Sequence, residues 1–171
     1  MDQHGWIVTC VPELKLCYSV GLMAKFGHPE IMIHGLKFEL GFGLIHDAVK
    51  LIVKGSKFHE DGIDYMGIAA GLPAQFIVVH ESNHHDWLGM AVRYYSPNPI
   101  EALQLVWCDT KGKFPWQDGF EVKFLDKQLL FDGRQPYGPS HFEQKCECEI
   151  CEAMKQELRT MEKKINKRTI N

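Results

Sequence analysis

A histidine and a glutamate flank one proline, His28-Pro29-Glu30, at the head of the apolar run Ile31-Met32-Ile33. Proline confines the residue before it to extended backbone and can begin a strand without removing a ladder bond. Residues i and i+2 of an extended chain project to the same side. The spacing therefore predicts that His28 and Glu30 point together, with Met32 beyond them and Ile31 and Ile33 on the opposite face. An imidazole beside a carboxylate has its pKa raised and its tautomer fixed, which is what a general acid–base pair needs. The alternative is structural: the pair bonds neighbouring backbone and closes a loop. Further along, Trp107 and Asp109 share a face of a predicted strand with Leu105, and "FPW" follows a turn that would fold Trp116 back over it. Aromatic walls with a few convergent polar groups describe a small-molecule pocket. They equally describe a core edge, where Trp is common. In the pocket reading His28 and Glu30 are the acid–base pair, Asp109 a polar anchor, and Trp107 and Trp116 the walls. Tyr18 and Gln104 are further lining candidates, although strand parity turns Gln104 away from Trp107.

A second cluster lies near the C-terminus. "HFEQKCECEIC" places His141, Cys146, Cys148 and Cys151 within one short stretch. A closed structural zinc site takes four N or S ligands in tetrahedral geometry. The Cys-x-x-Cys half has a familiar ligand spacing and the Cys-x-Cys half a less usual one. Cys148 and Cys151 fall at a predicted helix start, where the dipole favours thiolate. Interleaved glutamates oppose that charge, and a bound cation would relieve the repulsion. A tail of free thiols on a solvated helix end is the competing reading. A Cys-x-x-Cys redox pair is a third, without the βαβ context it normally has.

A third pattern, His80-Glu81-Ser82-Asn83-His84, matches H-E-x-x-H. Zinc-protease chemistry needs that pattern on a helix, with the two imidazoles one turn apart and the glutamate as base. The preceding Ile77, Val78 and Val79 favour a strand, and Ser82 and Asn83 suit a helix cap better than an interior. The two histidines are then expected to diverge, leaving His84, His85 and Asp86 as solvated groups near a helix start. G-x-S-x-G, G-x-x-x-x-G-K-[ST] and a G-x-G-x-x-G after a strand are all absent from the sequence, which argues against common serine hydrolase, P-loop and Rossmann chemistries.

The elements that must position these groups are legible from periodicity. Residues 5–11 and 16–22 read as strands around the turn "PELK", with Leu16, Tyr18, Val20 and Leu22 on one face. Residues 30–36 make a third strand. "KFELGFGLIHDAVKLIVKG" reads as a helix whose apolar stripe is Phe38, Phe42, Ile45, Val49 and Ile52. Glu39 and Lys50 suit its dipole, and Gly55 stops it. Gly41 and Gly43 each weaken a helix interior by roughly 1 kcal/mol, and close packing on a sheet would explain them. "DYMGIAAG" and "QFIVVHE" read as strands around "LP", "HHDWLGMAVRYY" as a second helix capped by Ser82 or Asn83, and "ALQLVWCD" as a sixth strand. About residues 147–166 a third helix carries the stripe Ile150, Met154, Leu158, Met161 and Ile165, with glutamates at its start and lysines at its end. That stripe needs cover, either the domain surface or a second copy of the chain.

The 171 residues point to one domain with a tail. A net charge of −3 gives no global basic field, so nucleic acid is not an expected partner. The N-terminus lacks the layout of a signal peptide, and no apolar run is long enough for a membrane span. A cytoplasmic location follows as the expectation, with all six cysteines reduced. Cys10, Cys17 and Cys108 then act as small buried hydrophobes.

In this order "HGW" (4–6), "YSVGL" (18–22), "GHPEIMIHGL" (27–36), "YY" (94–95), "LQLVWCD" (103–109), "G-x-FPW" (112–116) and "QP" (135–136) resemble the domain-of-unknown-function 4262 family of small, mainly bacterial and phage proteins. Members usually carry proline where Cys108 stands, and many have a short Cys-rich element, often N-terminal. The resemblance implies a fold and a site but no reaction.

The expectation is an α+β domain over residues 1–140, with a largely antiparallel, twisted sheet of about six strands and two packed helices. A Cys-rich motif and amphipathic helix follow over 141–171. The expected function is binding, with hydrolysis as an extension, of a polar small molecule or nucleotide in a His/Glu/Trp-lined pocket. The alternative is a module stapled by structural zinc that forms a homodimer or docks a partner through its C-terminal helix. The metalloprotease is a third reading.

Overall fold

The structure, a computed structural model, describes residues 5–60 and 62–132. The proposed zinc ligands His141, Cys146, Cys148 and Cys151 and the predicted terminal helix lie outside these residues. The described strands are β1 (Ile7–Val11), β2 (Leu16–Val20), β3 (Glu30–His34), β4 (Tyr65–Ala69), β5 (Leu72–Val78) and β6 (Ala102–Trp107). The helices are α1 (Leu22–Phe26), α2 (Phe38–Val53), α3 (His84–Trp87) and α4 (Gly89–Tyr95).

The strands form one sheet in the order β1-β2-β3-β6-β5-β4. Every pairing is antiparallel except the central one, where β3 and β6 run parallel. The sheet is therefore mixed. The long connection from β3 through α2, β4 and β5 lets the chain return to the middle in the same direction, as a parallel pair requires.

Alternation along the strands separates two faces, but Leu22 does not share the face of Leu16, Tyr18 and Val20 expected for it: β2 ends at Val20, and Leu22 opens α1 and packs on the α2 side. Cys17, Ile31, Ile33, Phe76, Leu103 and Leu105 lie against α2. Leu16, Tyr18, Val20, Met32 and Ala102 face the other way, toward Leu88 and Ala91 at α4. Helix α2 is rotated relative to its predicted stripe. Gly41, Ile45, Ala48, Val49 and Ile52 are buried, whereas Phe38 and Phe42 are 49% and 42% exposed. Gly41 sets that rotation: a Cβ there would meet Ile33 Cγ2 at 3.1 Å and Cys17 Sγ at 3.2 Å. Gly43 has open space at the same test, so close packing accounts for only one of the pair.

Other expectations need correction. The β4–β5 turn falls at Ala70-Gly71 rather than at "LP", and Leu72 and Pro73 belong to β5. The second helix is two short ones, because Leu88 leaves helical geometry (φ −119°, ψ 32°) to bury its side chain and a glycine follows. Asn83 precedes α3 without a side-chain cap. Its amide instead donates to the Phe131 carbonyl. Cys10 and Cys17, directly opposed in the β1–β2 register, are joined in a disulfide rather than reduced. Among the described residues Cys108 is the free thiol, and it is buried.

Beyond β6 the chain returns over the α4 face as a strap, residues 128–131. Side-chain amides hold it. Gln104 Nε2 donates to the Leu129 carbonyl while its Oε1 accepts the Phe131 N–H. Gln128 does the reverse service for Trp107, accepting its N–H and donating to its carbonyl. His34 Nδ1 accepts the Leu129 N–H. Gly35 makes room for this crossing: at φ +89° it suits no L side chain, and a Cβ would strike the Lys127 carbonyl.

Candidate functional site

His28 precedes β3 and lies outside its pleat, and the shared projection fails for that reason. Its ring turns toward the α2 layer and meets the Phe58 ring edge-on at 5.6 Å. Nδ1 faces the Pro29 carbonyl at 2.7 Å, and Nε2 accepts the Phe58 N–H at 3.1 Å. Both nitrogens are thus occupied in the neutral ring, with the proton on Nδ1. Burial lowers its pKa, against the rise expected from Glu30; the Pro29 carbonyl and Glu30 push upward but lose to desolvation. A hollow of about 160 Å³ borders His28, lined also by Ile52, Lys57, Phe58 and His59, and Glu30 is not part of it.

Glu30 turns the other way and is fully buried. Its Oε2 accepts the Ser19 hydroxyl at 2.5 Å, and its Oε1 accepts the Gly21 N–H at 2.9 Å, the Met23 N–H at 3.3 Å and the Tyr95 hydroxyl at 2.5 Å. This carboxylate staples β2, the start of α1 and the end of α4 to the sheet. Burial, then the hydrogen bond to Glu30, raises the Tyr95 hydroxyl pKa well above its ordinary value. The acid–base pair expected from spacing is therefore two separate structural devices.

Asp109 organises the loop after β6. Its Oδ1 accepts the Lys111 and Lys113 N–H groups and its Oδ2 the Glu121 N–H. Burial opposes ionisation here, but those three backbone donors outweigh it and hold the carboxyl below its usual range. Trp107 and Trp116 do not form two walls of one pocket. Trp107 packs on the α2 face, its Nε1–H donating to the His34 carbonyl. Trp116 stacks on Phe114, which packs with Ile77 and Val106 on the opposite face. Gln104 does point away from Trp107, into the strap. His80 stands in extended backbone with Nδ1 against the Ser82 hydroxyl, while His84 Nε2 is engaged by the Val79 carbonyl. The H-E-x-x-H pattern is thus not carried on one α-helix: His80 is extended, Glu81–Asn83 form a 3-10 turn and His84 begins α3. Among the described residues no group of three or more His, Cys, Asp or Glu side chains is placed to hold a metal.

Of the described site candidates, Tyr18 borders the larger of the two hollows. A groove of about 670 Å³ runs between the β1–β2 hairpin and α3–α4, lined among others by Thr9, Val11, Tyr18, His85, Met90 and Arg93. The register places Thr9 opposite Tyr18 on adjacent strands. The Tyr18 ring is 4% exposed, and its hydroxyl oxygen accepts the Met90 N–H at 3.3 Å. The hydroxyl's own proton meets no acceptor among the described residues. Thr9 donates weakly to Met90 Sδ at 3.2 Å. Gly89 lines the groove with open space where a Cβ would stand. Sequence reasoning missed Thr9, His85 and Arg93. Strand parity carried a signal for Thr9; for Arg93 none existed until the helix broke at Leu88.

The sequence model of the family described as Domain of unknown function (DUF4262) matches residues 1–121. No curated protein and no solved structure matches the chain. Among the described residues no helix is long and apolar enough to cross a membrane.

Proposed function

Since the chain belongs to the DUF4262 family, whose description names no reaction, we propose from the geometry that it binds a small polar molecule in the groove between the β1–β2 hairpin and α4. The observation that carries this reading is the Tyr18 hydroxyl. It belongs to a nearly buried side chain, it borders the groove, and its proton is without an acceptor among the described residues. In the free chain water in the groove can meet this proton, and a ligand acceptor seated there would replace that water with a hydrogen bond from a side chain already held in place. The volume, about 670 Å³, falls in the range of ligand pockets, and Val11, Met90 and Val92 supply apolar floor. With both His28 nitrogens tied to backbone and Glu30 bonded four times, neither is poised to move a proton, so the reading is binding rather than hydrolysis.

The test fills the groove. Gly89→Phe introduces a ring where a Cβ meets nothing within 4 Å. Amide spectra of the 15N-labelled chain against a library of polar fragments should yield binders that shift the Met90 and Val92 amides in the wild-type chain and are lost in the variant, whose fold is checked by its own amide spectrum. Binders that persist unchanged in Gly89→Phe would refute the proposal.

A further inference from the structure

We infer that the groove's ligand is an organic anion, a carboxylate or phosphate carried on an apolar or aromatic body, with Arg93 as its ionic anchor. This rests on the groove being the binding site and assigns the chemistry it selects. Among the described residues nine line the groove, and none of them carries a carboxylate. Its ionisable side chains besides Tyr18 are Arg93 and His85. Arg93 lies in the last turn of α4 and is exposed, and its side chain makes no ion pair or hydrogen bond among the described residues. Its neighbours on the groove wall do not neutralise it. Thr9, Tyr18 and Ser96 bring hydroxyls, and Val11, Met90 and Val92 bring hydrocarbon. The nearest acid to this wall in sequence, Asp86, sits 3.7 Å from His85 with both side chains exposed, and it does not line the groove.

Two donors line the same groove. The Tyr18 hydroxyl can donate to an acceptor there, and the Arg93 guanidinium offers a planar fork of donors that matches the paired oxygens of a carboxylate or phosphate. An anionic head satisfies both. The apolar floor then favours a ligand with a hydrophobic body over a bare inorganic ion. A neutral sugar would meet the hydroxyls but leave the guanidinium unmatched, and a cation would be repelled by it.

The experiment uses the full chain, labelled with 15N, titrated separately with benzoate, phenyl phosphate, benzyl alcohol and inorganic phosphate. The expected result is that benzoate or phenyl phosphate shifts the Gly89–Arg93 amides at least about tenfold more tightly than benzyl alcohol or inorganic phosphate, the difference that one bidentate contact of this kind supplies. Preference between the two anionic probes separates a carboxylate site from a phosphate site. Arg93→Gln should weaken the anion about tenfold and leave benzyl alcohol unaffected, while Arg93→Lys restores part of the loss. Equal binding of benzyl alcohol and benzoate, both abolished by Gly89→Phe, would overturn the anion inference and keep the groove. No shift at these amides with any of the four probes would overturn both.

Discussion

Replacing Tyr95 with phenylalanine isolates the role of the buried carboxylate. In the folded chain the Tyr95 hydroxyl donates to Glu30 Oε1 at 2.5 Å and accepts the Ala24 N–H at 3.3 Å. Removing the oxygen leaves Glu30 with Ser19, Gly21 and Met23 as donors, so the carboxylate keeps three of its four partners. A hydrogen bond to a charged group contributes about 1.5–3 kcal/mol. Tyr95 is half-buried, so water can reach the vacated position, and the lower end, about 1.5 kcal/mol, is the expected loss. Ala24 is exposed and its amide can turn to solvent. For a chain of this length that corresponds to a fall in Tm of about 3–6 °C. The pH dependence provides a second readout. The folded Tyr95 pKa is raised, so its contribution is complete below the unfolded value near 10 and declines as pH climbs beyond it, because the unfolded chain releases its proton first. The gap in stability between the wild type and Tyr95→Phe should therefore narrow above about pH 10. Thermal melts across that range measure both effects. A Tm within about 1 °C of the wild type, or a gap that stays constant with pH, would refute the view that Glu30 is a structural staple.

Gly41→Ala should destabilise the fold, because the steric penalty of about 1–3 kcal/mol against Ile33 and Cys17 exceeds the helix gain of roughly 1 kcal/mol, whereas Gly43→Ala, with open space, should stabilise it by about 0.5–1 kcal/mol; paired urea titrations decide. His28 and His34 both have lowered pKa values, chiefly through burial, so the stability tied to their neutral rings is intact above the ordinary 6.5 and lost as pH falls through it toward the folded values. Urea midpoints between pH 8 and 5 should drop accordingly, and His34→Phe should flatten part of that slope. Elemental analysis of the purified full chain separates the two readings of the cysteine cluster: about one zinc per chain, absent after Cys148→Ser, would support the zinc staple, and a metal-free wild type would reject it in favour of free thiols.

Much of the framework was readable from residue order alone. Parity inside the strands separated Ile31 and Ile33 from Met32 and turned Gln104 from Trp107, because a pleat alternates strictly. The same rule misled at His28, one residue outside the pleat, where a backbone carbonyl and the Phe58 amide decide the ring's direction. Helix α2 was recognisable by period, but its rotation depended on Gly41 meeting Cys17 and Ile33, a contact between distant parts of the chain. The strap was invisible for a related reason. Its partners, Gln104 and Gln128, look like ordinary polar residues until the chain crosses Gly35 and brings their amides to unpaired backbone. Tyr18 was read as lining a pocket with Trp107 and Trp116, but it borders a different groove, whose other residues come from a neighbouring strand and from a helix whose break the sequence did not announce.

The parallel junction at the middle of the sheet has a consequence for assembly. Strands β1 to β3 are adjacent in sequence and in space, and so are β4 to β6, so each trio can nucleate from nearby residues. The two trios meet only where Glu30 comes opposite Ala102 and Met32 opposite Gln104, about 70 residues apart along the chain. Loop-closure entropy must be spent before that ladder returns any stabilisation. Pairing at this junction is therefore the expected slow step of folding, and truncating Ile31 or Leu103, which pair across it, should lower the refolding rate as well as the melting point.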